Sequence, residues 1–285
     1  GADAGSGGGA TTIDGLTDAY TVYGGDSNLI MGRAGAAALA STAQFNLFVG
    51  EGAGAGTSSG STDYNSALGY HALNALTDGA GNTALGAEAL NLTTLGGTNT
   101  AIGAAALYNN VAKGQNTAVG YSAMYYAHNT GTQSNSNNTA LGYWALRGSA
   151  TPASNTGTAN VALGAETLKL ATSGSNNVAI GYQAGDAIDA GGKNIVIGWT
   201  VDTSAAGASN ELNIGNVLYG TGIIDGATRR IGIGTPTPQA DLSLFKTSDT
   251  FLDIGIAGTS AGSGEVGLAI LTKATASTTL GSASV

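Results

Sequence analysis

Paired carboxylates are the first feature of this sequence that could do chemistry, because a glycosidase needs two of them about 5 to 10 Å apart. Glu88 and Glu166 occupy the same position in two copies of an internal repeat. If successive copies stack about 4.8 Å apart, these two carboxylates lie roughly 19 Å from each other, too far to cooperate. Asp186, Asp189 and Asp202 fall on segments between apolar runs, where solvated turn residues are expected. We therefore predict no catalytic residue and a protein that is not an enzyme.

Metal chemistry is also unsupported by the residues present. The two histidines, His71 and His128, have no His, Cys or acidic partner at the spacing of a metal site. The chain contains no cysteine, which excludes disulfides and thiolate ligands. We therefore predict no metal site and no cofactor.

Composition argues against two classes of partner. The nine Lys and Arg residues are spread singly in a chain of net charge -9, so no basic stripe is available to neutralise nucleic-acid phosphates. No apolar run reaches the roughly 18 residues of a membrane-spanning helix. We predict neither nucleic-acid binding nor membrane insertion. Because charged residues make up only 9% of the chain, its surface must be covered by small polar residues or by copies of itself.

A second group of candidate residues suits binding rather than catalysis. Extra residues lengthen two successive repeats, at 125–137 and at 147–159. Loops carry function more often than scaffolds do, so these insertions are predicted to lie side by side on one flank and to contact a receptor. The candidate receptor-binding residues are Tyr125, Tyr126, His128, Trp144 and Arg147. Tolerated variation in loop length is the alternative interpretation.

Aromatic residues also recur directly after the repeat glycine. They are Tyr70, Tyr121, Tyr143, Tyr182 and Trp199, and alanine takes this place in several other copies. A place that accepts either size is predicted to be at least partly exposed. Aromatic faces there could carry sugar rings, or they could form a stacking ladder that shields the strand edges.

The element that must position all of these residues is a repeat of the form Asn-x-x-apolar-Gly. Two looser copies begin at Asn28 and Asn46. The clear copies begin at Asn65, Asn82, Asn99, Asn116, Asn138, Asn160, Asn177 and Asn194. The steps between successive asparagines are 18, 19, 17, 17, 17, 22, 22, 17 and 17 residues. A period of 17 with two five-residue insertions predicts a stack of equivalent coils, in which the eight asparagines form a structural ladder.

The second half of each copy decides the fold class. It ends in Ala-Leu or a close variant and is followed by a polar corner. Three or four residues between glycine corners are too few to recover the cost of helix nucleation. A 17-residue copy has a contour of roughly 55 Å, which suits a flat two-sided coil with strands of about five residues. We therefore predict an all-β protein, a parallel β-roll or β-solenoid of about ten 17-residue coils.

Adjacent apolar residues within each strand predict assembly. In NTALG, Ala84 and Leu85 must point to opposite faces, although both are apolar. Strands that are apolar on both faces are typical of sheets buried on both sides. Because one face fills the coil interior, we predict that the other packs against sister chains in a homotrimer.

Four regions follow from these patterns. We predict an N-terminal attachment or linker segment at 1–25 and the β-roll repeat domain at 26–202. A neck or transition at 203–240 and a C-terminal β-rich segment at 241–285 complete the chain, with a helix at 265–274 as the alternative there.

The repeat resembles the left-handed parallel β-roll heads of trimeric autotransporter adhesins. It is more similar to phage tail-fibre proteins with NTALGYxAL-type repeats, in which an IGN…G segment and a GIGT-P-x-A-L junction follow the array. This chain has NELNIGNVLYGTG at 210–222 and RIGIGTPTPQADL at 230–242, in that order. The resemblance covers roughly residues 26–245.

The resemblance to phage fibres implies a trimeric structural protein of the virion, outside the cell. Such a protein is joined to other virion proteins through its N-terminus and attaches to a glycan or protein of the host surface. A bacterial trimeric surface adhesin head, located at the cell surface, is the first alternative. A polysaccharide-degrading tailspike is the second.

Overall fold

The computed structural model describes residues 28–32, 43–56, 62–127, 131–222 and 229–244. All of them belong to one compact unit, Gly1–Phe245. The predicted segment 1–25, most of the predicted C-terminal segment and its alternative helix lie outside the described residues.

Short β-strands and one 3-10 turn, η1 (Pro152–Ser154), make up the regular structure of the described residues. The strands are β1 (Leu29–Met31), β2 (Leu47–Val49), β3 (Ser66–Leu68), β4 (Thr83–Leu85), β5 (Thr100–Ile102), β6 (Lys113–Gly114), β7 (Thr117–Val119), β8 (Ser134–Asn135), β9 (Thr139–Leu141), β10 (Val161–Leu163), β11 (Val178–Ile180), β12 (Ile195–Ile197), β13 (Glu211–Ile214), β14 (Leu218–Thr221), β15 (Arg230–Ile233) and β16 (Leu242–Leu244). No helix of the described part of the chain is long and apolar enough to cross a membrane.

The repeat strands form one parallel ladder in the order of the sequence. Each copy contributes one strand, and equivalent residues are paired from β1 to β12, leaving aside β6 and β8. The predicted all-β parallel solenoid of about ten turns is therefore confirmed. In the region predicted as the neck, β13 extends the ladder in parallel before β14 and β15 reverse direction, and β16 then pairs parallel with β15.

The core is a thin column of small and branched side chains inside the coils. The middle residue of each repeat strand points inward, as Ala84, Ala101 and Ala118 do, and each is essentially inaccessible to solvent. Opposite it lies the residue four places after the glycine, exemplified by Leu90 and Leu107, which are fully buried. Alternating a small and a large side chain across a narrow coil fills the interior without voids.

The second half of each coil is not a strand, so the prediction of two-sided coils with strands of about five residues was wrong. Glu88 and Leu90 have φ angles of 59° and 53°, in the left-handed region. The Glu88 amide donates to the Tyr70 carbonyl on one neighbouring coil (2.7 Å), and the Leu90 amide donates to Ala106 on the other (3.0 Å). The strain of the left-handed residues is offset because every coil keeps hydrogen bonds to both neighbours.

The repeat glycine is required where the strand meets this second half. Gly86 has a φ of +133°, which favours glycine. A Cβ atom there would lie 2.7 Å from the carbonyl oxygen of Gly103 in the next coil. The coils could not stack this closely if the residue carried a side chain.

The outer face of the ladder carries the first and third residues of each strand, and the third residues form an aliphatic row beside a row that is Ser or Thr in β3, β4, β5, β7 and β9. Within one strand Ala84 is buried while Leu85 is 43% exposed, so the two residues lie on opposite faces, as their alternation predicts. Exposed residues at the same place in other strands are Leu68, Ile102, Leu141 and Ile180. These third strand residues, with their equivalents in the other coils, are called the sheet face below.

Candidate functional site

A ladder of asparagines fixes the register of the coils beneath the candidate site. Asn99 is buried, and its Oδ1 accepts from the backbone amide (3.0 Å) and the Nδ2 (3.1 Å) of Asn116. Its Nδ2 donates to Asn82 Oδ1 (3.1 Å) and to the Lys113 carbonyl (2.9 Å). Asn99 thus joins the coils on either side of it and satisfies a backbone carbonyl at the polar corner.

The ladder continues through the two long coils, but from Asn138 onward only the backbone amide of each asparagine donates to the Oδ1 of the preceding one. Asn116 Oδ1 accepts from the backbone amide of Asn138 at 3.1 Å and from the Ser136 hydroxyl at 2.7 Å. The Asn138 Nδ2 donates to the Gly157 carbonyl at 2.9 Å, and Asn138 Oδ1 accepts from the backbone amide of Asn160 at 2.8 Å. The insertions therefore widen the coils without breaking their register.

The first insertion folds back onto the preceding coils. Its strand β8 pairs with β6, and Gln133 Nε2 donates to the Leu95 carbonyl at 3.0 Å. Residues 131–137 consequently lie along the polar corner, which differs from the expected projection from one flank.

The second insertion is closed by Asn155. Its Oδ1 accepts from the Ser149 amide at 3.0 Å, and its Nδ2 donates to the carbonyls of Ser149 (3.0 Å) and Tyr126. The side chain therefore ties the loop carrying η1 to the coil before it. A cavity of about 40 Å³ remains between these two long coils, lined in part by Met124 and Leu146.

Four of the five candidate receptor-binding residues lie together. The rings of Tyr125 and Tyr126 meet edge to face with centroids 4.7 Å apart. The Arg147 guanidinium carbon lies 5.6 Å from the Tyr126 ring centroid and 4.8 Å from that of Trp144. The fifth candidate, His128, lies outside the described residues.

Residues of the next coil complete this cluster. The Lys169 Nζ lies 5.5 Å from the Trp144 ring centroid and 2.6 Å from Glu166 Oε2. The same carboxylate oxygen accepts from Gln183 Nε2 at 3.2 Å. The Trp144 ring also stacks with the ring of Tyr143, with their centroids 4.7 Å apart. Tyr143, Trp144, Arg147, Glu166 and Lys169 are called the cation flank below.

The cation flank follows directly from the register of the coils. Trp144 and Arg147 are the second and fifth residues after Gly142, and Glu166 and Lys169 hold the same places after Gly164. The Glu166 amide donates to the Tyr143 carbonyl at 2.7 Å, and the Gly148 amide to the Lys169 carbonyl at 3.1 Å. The sequence analysis did not identify Lys169 or the role of Glu166. Both could have been found, because they hold the same places after the repeat glycine as Arg147 and Trp144.

Of the two positive charges of the cation flank, only that of Lys169 is paired with a carboxylate. The hydrogen bond from Lys169, then that from Gln183, holds the pKa of Glu166 below its usual value. Arg147 makes no ion pair with any described residue, and its buried Nε has no hydrogen-bond partner. Burial, followed by the neighbouring Tyr108, raises the pKa of Tyr125, which stays neutral at physiological pH. One positive charge of the flank is therefore open to a ligand.

The aromatic column beside the flank is open to solvent. Tyr121 and Tyr143 stack with centroids 5.7 Å apart, and both rings are about half exposed. Tyr182 and Trp199 are exposed at the same place in later coils. Tyr121 is therefore both stacked and accessible, whereas the Tyr143 ring is stacked with both Tyr121 and Trp144.

A pair of carboxyl groups lies near the end of the ladder. Asp202 is half-buried rather than a solvated turn residue as expected, and its oxygens accept from the amides of Ala187 and Thr203, both at 3.0 Å. Burial first, and then the neighbouring Asp186, raises the pKa of Asp202 to about 6. The Asp202 side chain therefore carries a proton for part of the time near pH 6.

This pKa predicts that folding stability depends on pH. Because the folded-state pKa of about 6 lies above the ~3.9 of an unfolded aspartate, the folded protein binds the proton more tightly. The stabilisation is complete below about pH 4 and is lost as the pH rises through about 6. Asp202→Asn should flatten the dependence of the thermal midpoint on pH between 4 and 7.

The exposed Asp189 supplies the matched control, because Asp189→Asn removes a carboxylate close in sequence. It should retain the slope of the parent protein. Equal slopes for the parent and Asp202→Asn would contradict the assignment.

Asp202 also lines a hollow of about 280 Å³ at the start of the neck, together with Glu211 and Tyr219. Two carboxylates, one with a raised pKa, are what a glycosidase needs. Here, however, Glu211 accepts from the amide (2.8 Å) and the hydroxyl of Ser204, and Asp202 accepts from two backbone amides. These hydrogen bonds favour a structural role that closes the last coil.

The described residues contain no group of three or more His, Cys, Asp or Glu side chains placed to hold a metal ion. No family model, no curated protein and no solved structure matches this chain. Its function must therefore be argued from the surfaces of the coil stack.

Proposed function

We propose that this chain is a structural fibre protein of a phage virion, which attaches the particle to a receptor or glycan of the host surface. The observation that carries the proposal is the presence of two unlike outer surfaces on one rigid stack. One is the aliphatic sheet face, and the other is the cation flank with its exposed tyrosines. The first suits assembly into a fibre and the second suits recognition.

The assembly half of the proposal is a homotrimer built through the sheet face. Ten in-register strands at ~4.8 Å per step give an apolar column about 43 Å long. Monomeric soluble proteins seldom expose an apolar patch of this extent. Because every coil presents the same aliphatic position, identical chains placed side by side around one axis would cover the whole column. Three copies are proposed on the resemblance of the repeat to trimeric fibres.

The attachment half rests on the chemistry of the cation flank. Half-exposed Tyr121, stacked with Tyr143, offers a flat apolar face with a polar tip, which suits a sugar ring. Arg147 adds a charged donor beside this pair. The ladder holds both on a regular scaffold, so little side-chain order has to be gained on binding.

The place of this chain on a particle is directly testable. Gold-labelled antibody against the purified protein should decorate the appendages of intact phage particles, and the free protein should reduce adsorption of those particles to host cells. Labelling of a bacterial surface in the absence of phage would instead favour the adhesin alternative. Release of reducing sugar from host polysaccharide, above a boiled control, would contradict the non-enzymatic proposal.

A further inference from the structure

We propose that the cation flank recognises acidic saccharides, meaning sugars that carry a carboxylate or a phosphate group. This inference rests on the proposed attachment function and names its ligand class. It follows from the distribution of charge, from the state of Arg147 and from the stacking around Trp144.

The charge of the flank opposes that of the chain. The protein has 18 acidic and nine basic residues, a net charge of -9. On the flank two cations, Arg147 and Lys169, face a single carboxylate, Glu166. No other Lys or Arg occupies the second or fifth place after a repeat glycine in the described coils. The flank is thus a local positive site on a chain that repels anions elsewhere.

Arg147 is the group left to bind an anion. Lys169 is already paired with Glu166 at 2.6 Å, whereas Arg147 forms no ion pair with a described residue. Its guanidinium is held 4.8 Å from the Trp144 ring centroid and 5.6 Å from that of Tyr126, so its plane is positioned before a ligand arrives. Its Nε is buried without a hydrogen-bond partner, and the two terminal nitrogens of a guanidinium can form the paired bonds that carboxylates and phosphates accept.

The same contacts change the role expected for Trp144. One neighbour of its ring is Tyr143, and Arg147 and Lys169 are the others. Trp144 is therefore a support for the cations, not an open platform for a sugar. Tyr143 is itself stacked with both Trp144 and Tyr121. A sugar ring would therefore lie on Tyr121, which is 54% exposed, with its anionic group directed to Arg147.

The experiment is a calorimetric titration of the full chain with three acidic probes: trigalacturonate, sialyllactose and a phosphorylated mannose. Lactose and inorganic phosphate are the neutral and sugar-free probes. We expect at least one acidic probe to bind, with an affinity that falls as salt rises from about 50 to 500 mM. Arg147→Met should weaken that binding by about tenfold or more, since a charged hydrogen-bonded pair contributes on the order of one such factor.

Two further variants test whether the affinity for the acidic probe depends on charges of the cation flank or on the net charge of the chain. Glu166→Gln should strengthen binding of the acidic probe by roughly threefold, because it removes the competing carboxylate. Lys193→Gln removes one positive charge at the polar corner, before Asn194, and should leave the affinity unchanged. Circular dichroism and sedimentation of each variant should match those of the parent protein.

The outcomes distinguish this inference from the attachment function. Failure of all acidic probes at millimolar concentration, or equal binding of lactose, overturns the acidic specificity even if labelled protein still binds host cells. Inorganic phosphate that binds as tightly as the sugars also overturns it, because sugar recognition would then be absent. Labelled parent protein that fails to bind host cells overturns the attachment function itself.

Discussion

Replacing Leu141 by Asp is expected to convert the proposed homotrimer into a folded monomer. Leu141 is the third residue of β9 and lies in register between Val119 and Leu163 on the sheet face. In a single chain it is 50% exposed, so the aspartate would stay hydrated and the coil would remain intact. In the proposed homotrimer the same carboxylate would be buried without a partner, at a cost of several kcal/mol per chain. Sedimentation velocity gives the mass, and circular dichroism shows whether the fold is kept.

Leu170 supplies the matched control. It is 47% exposed, nearly the same as Leu141, but it belongs to the second half of its coil and not to the sheet face. Leu170→Asp should therefore sediment like the parent protein. A parent protein that is monomeric at micromolar concentration, or a Leu141→Asp protein that assembles normally, would contradict assembly through this face.

Much of the ladder could be predicted from the repeat because position in the repeat determines environment. Asparagine at each coil start, one inward residue and two outward residues describe each repeat strand, and the parallel pairing follows from the period. The outward aliphatic residue could be recognised in the sequence because a single coil buries only one face, so an apolar residue on the other face stands out. Ala84, which is buried, and the adjacent Leu85, which is exposed, illustrate these two positions.

The second half of the coil could not be predicted in the same way. Glutamate and leucine have no preference for left-handed dihedral angles, yet Glu88 and Leu90 both adopt them. Hydrogen bonds between coils hold these residues in place, and such bonds leave no local sequence signal. The raised pKa of Asp202 is unpredictable for a related reason, since it depends on the burial of that side chain and on the approach of Asp186 from the preceding coil.

The candidate site was predictable in part. Trp144 and Arg147 were visible because they stand in a lengthened repeat, and their neighbours in the next coil could have been read from the same positions after the glycine. The stacking of Trp144 against cations required side-chain geometry. That geometry decides which aromatic face is free, and so moves the expected sugar platform from Trp144 to Tyr121.

Replacing Asn99 by Ala is expected to destabilise the stack strongly. Asn99 is buried, and its side chain accepts two hydrogen bonds from Asn116 and donates to Asn82 and Lys113. The substitution leaves a buried backbone amide and a side-chain amide of Asn116 without an acceptor, each at a cost of about 1–3 kcal/mol. A loss of roughly 2–6 kcal/mol is therefore expected. Urea unfolding at fixed protein concentration measures it, because assembly would otherwise shift the midpoint.

Asn109 provides the control for this substitution, because it has the same side chain ten residues away but lies outside the ladder. It is only half-buried, and its Nδ2 makes one hydrogen bond of 3.2 Å, to the Tyr125 carbonyl. Asn109→Ala should therefore cost no more than about 1 kcal/mol. If the two variants unfolded at the same urea concentration, the asparagine ladder would contribute no more than an ordinary surface amide, and the stacking of the coils would have to depend on the alanine and leucine core alone.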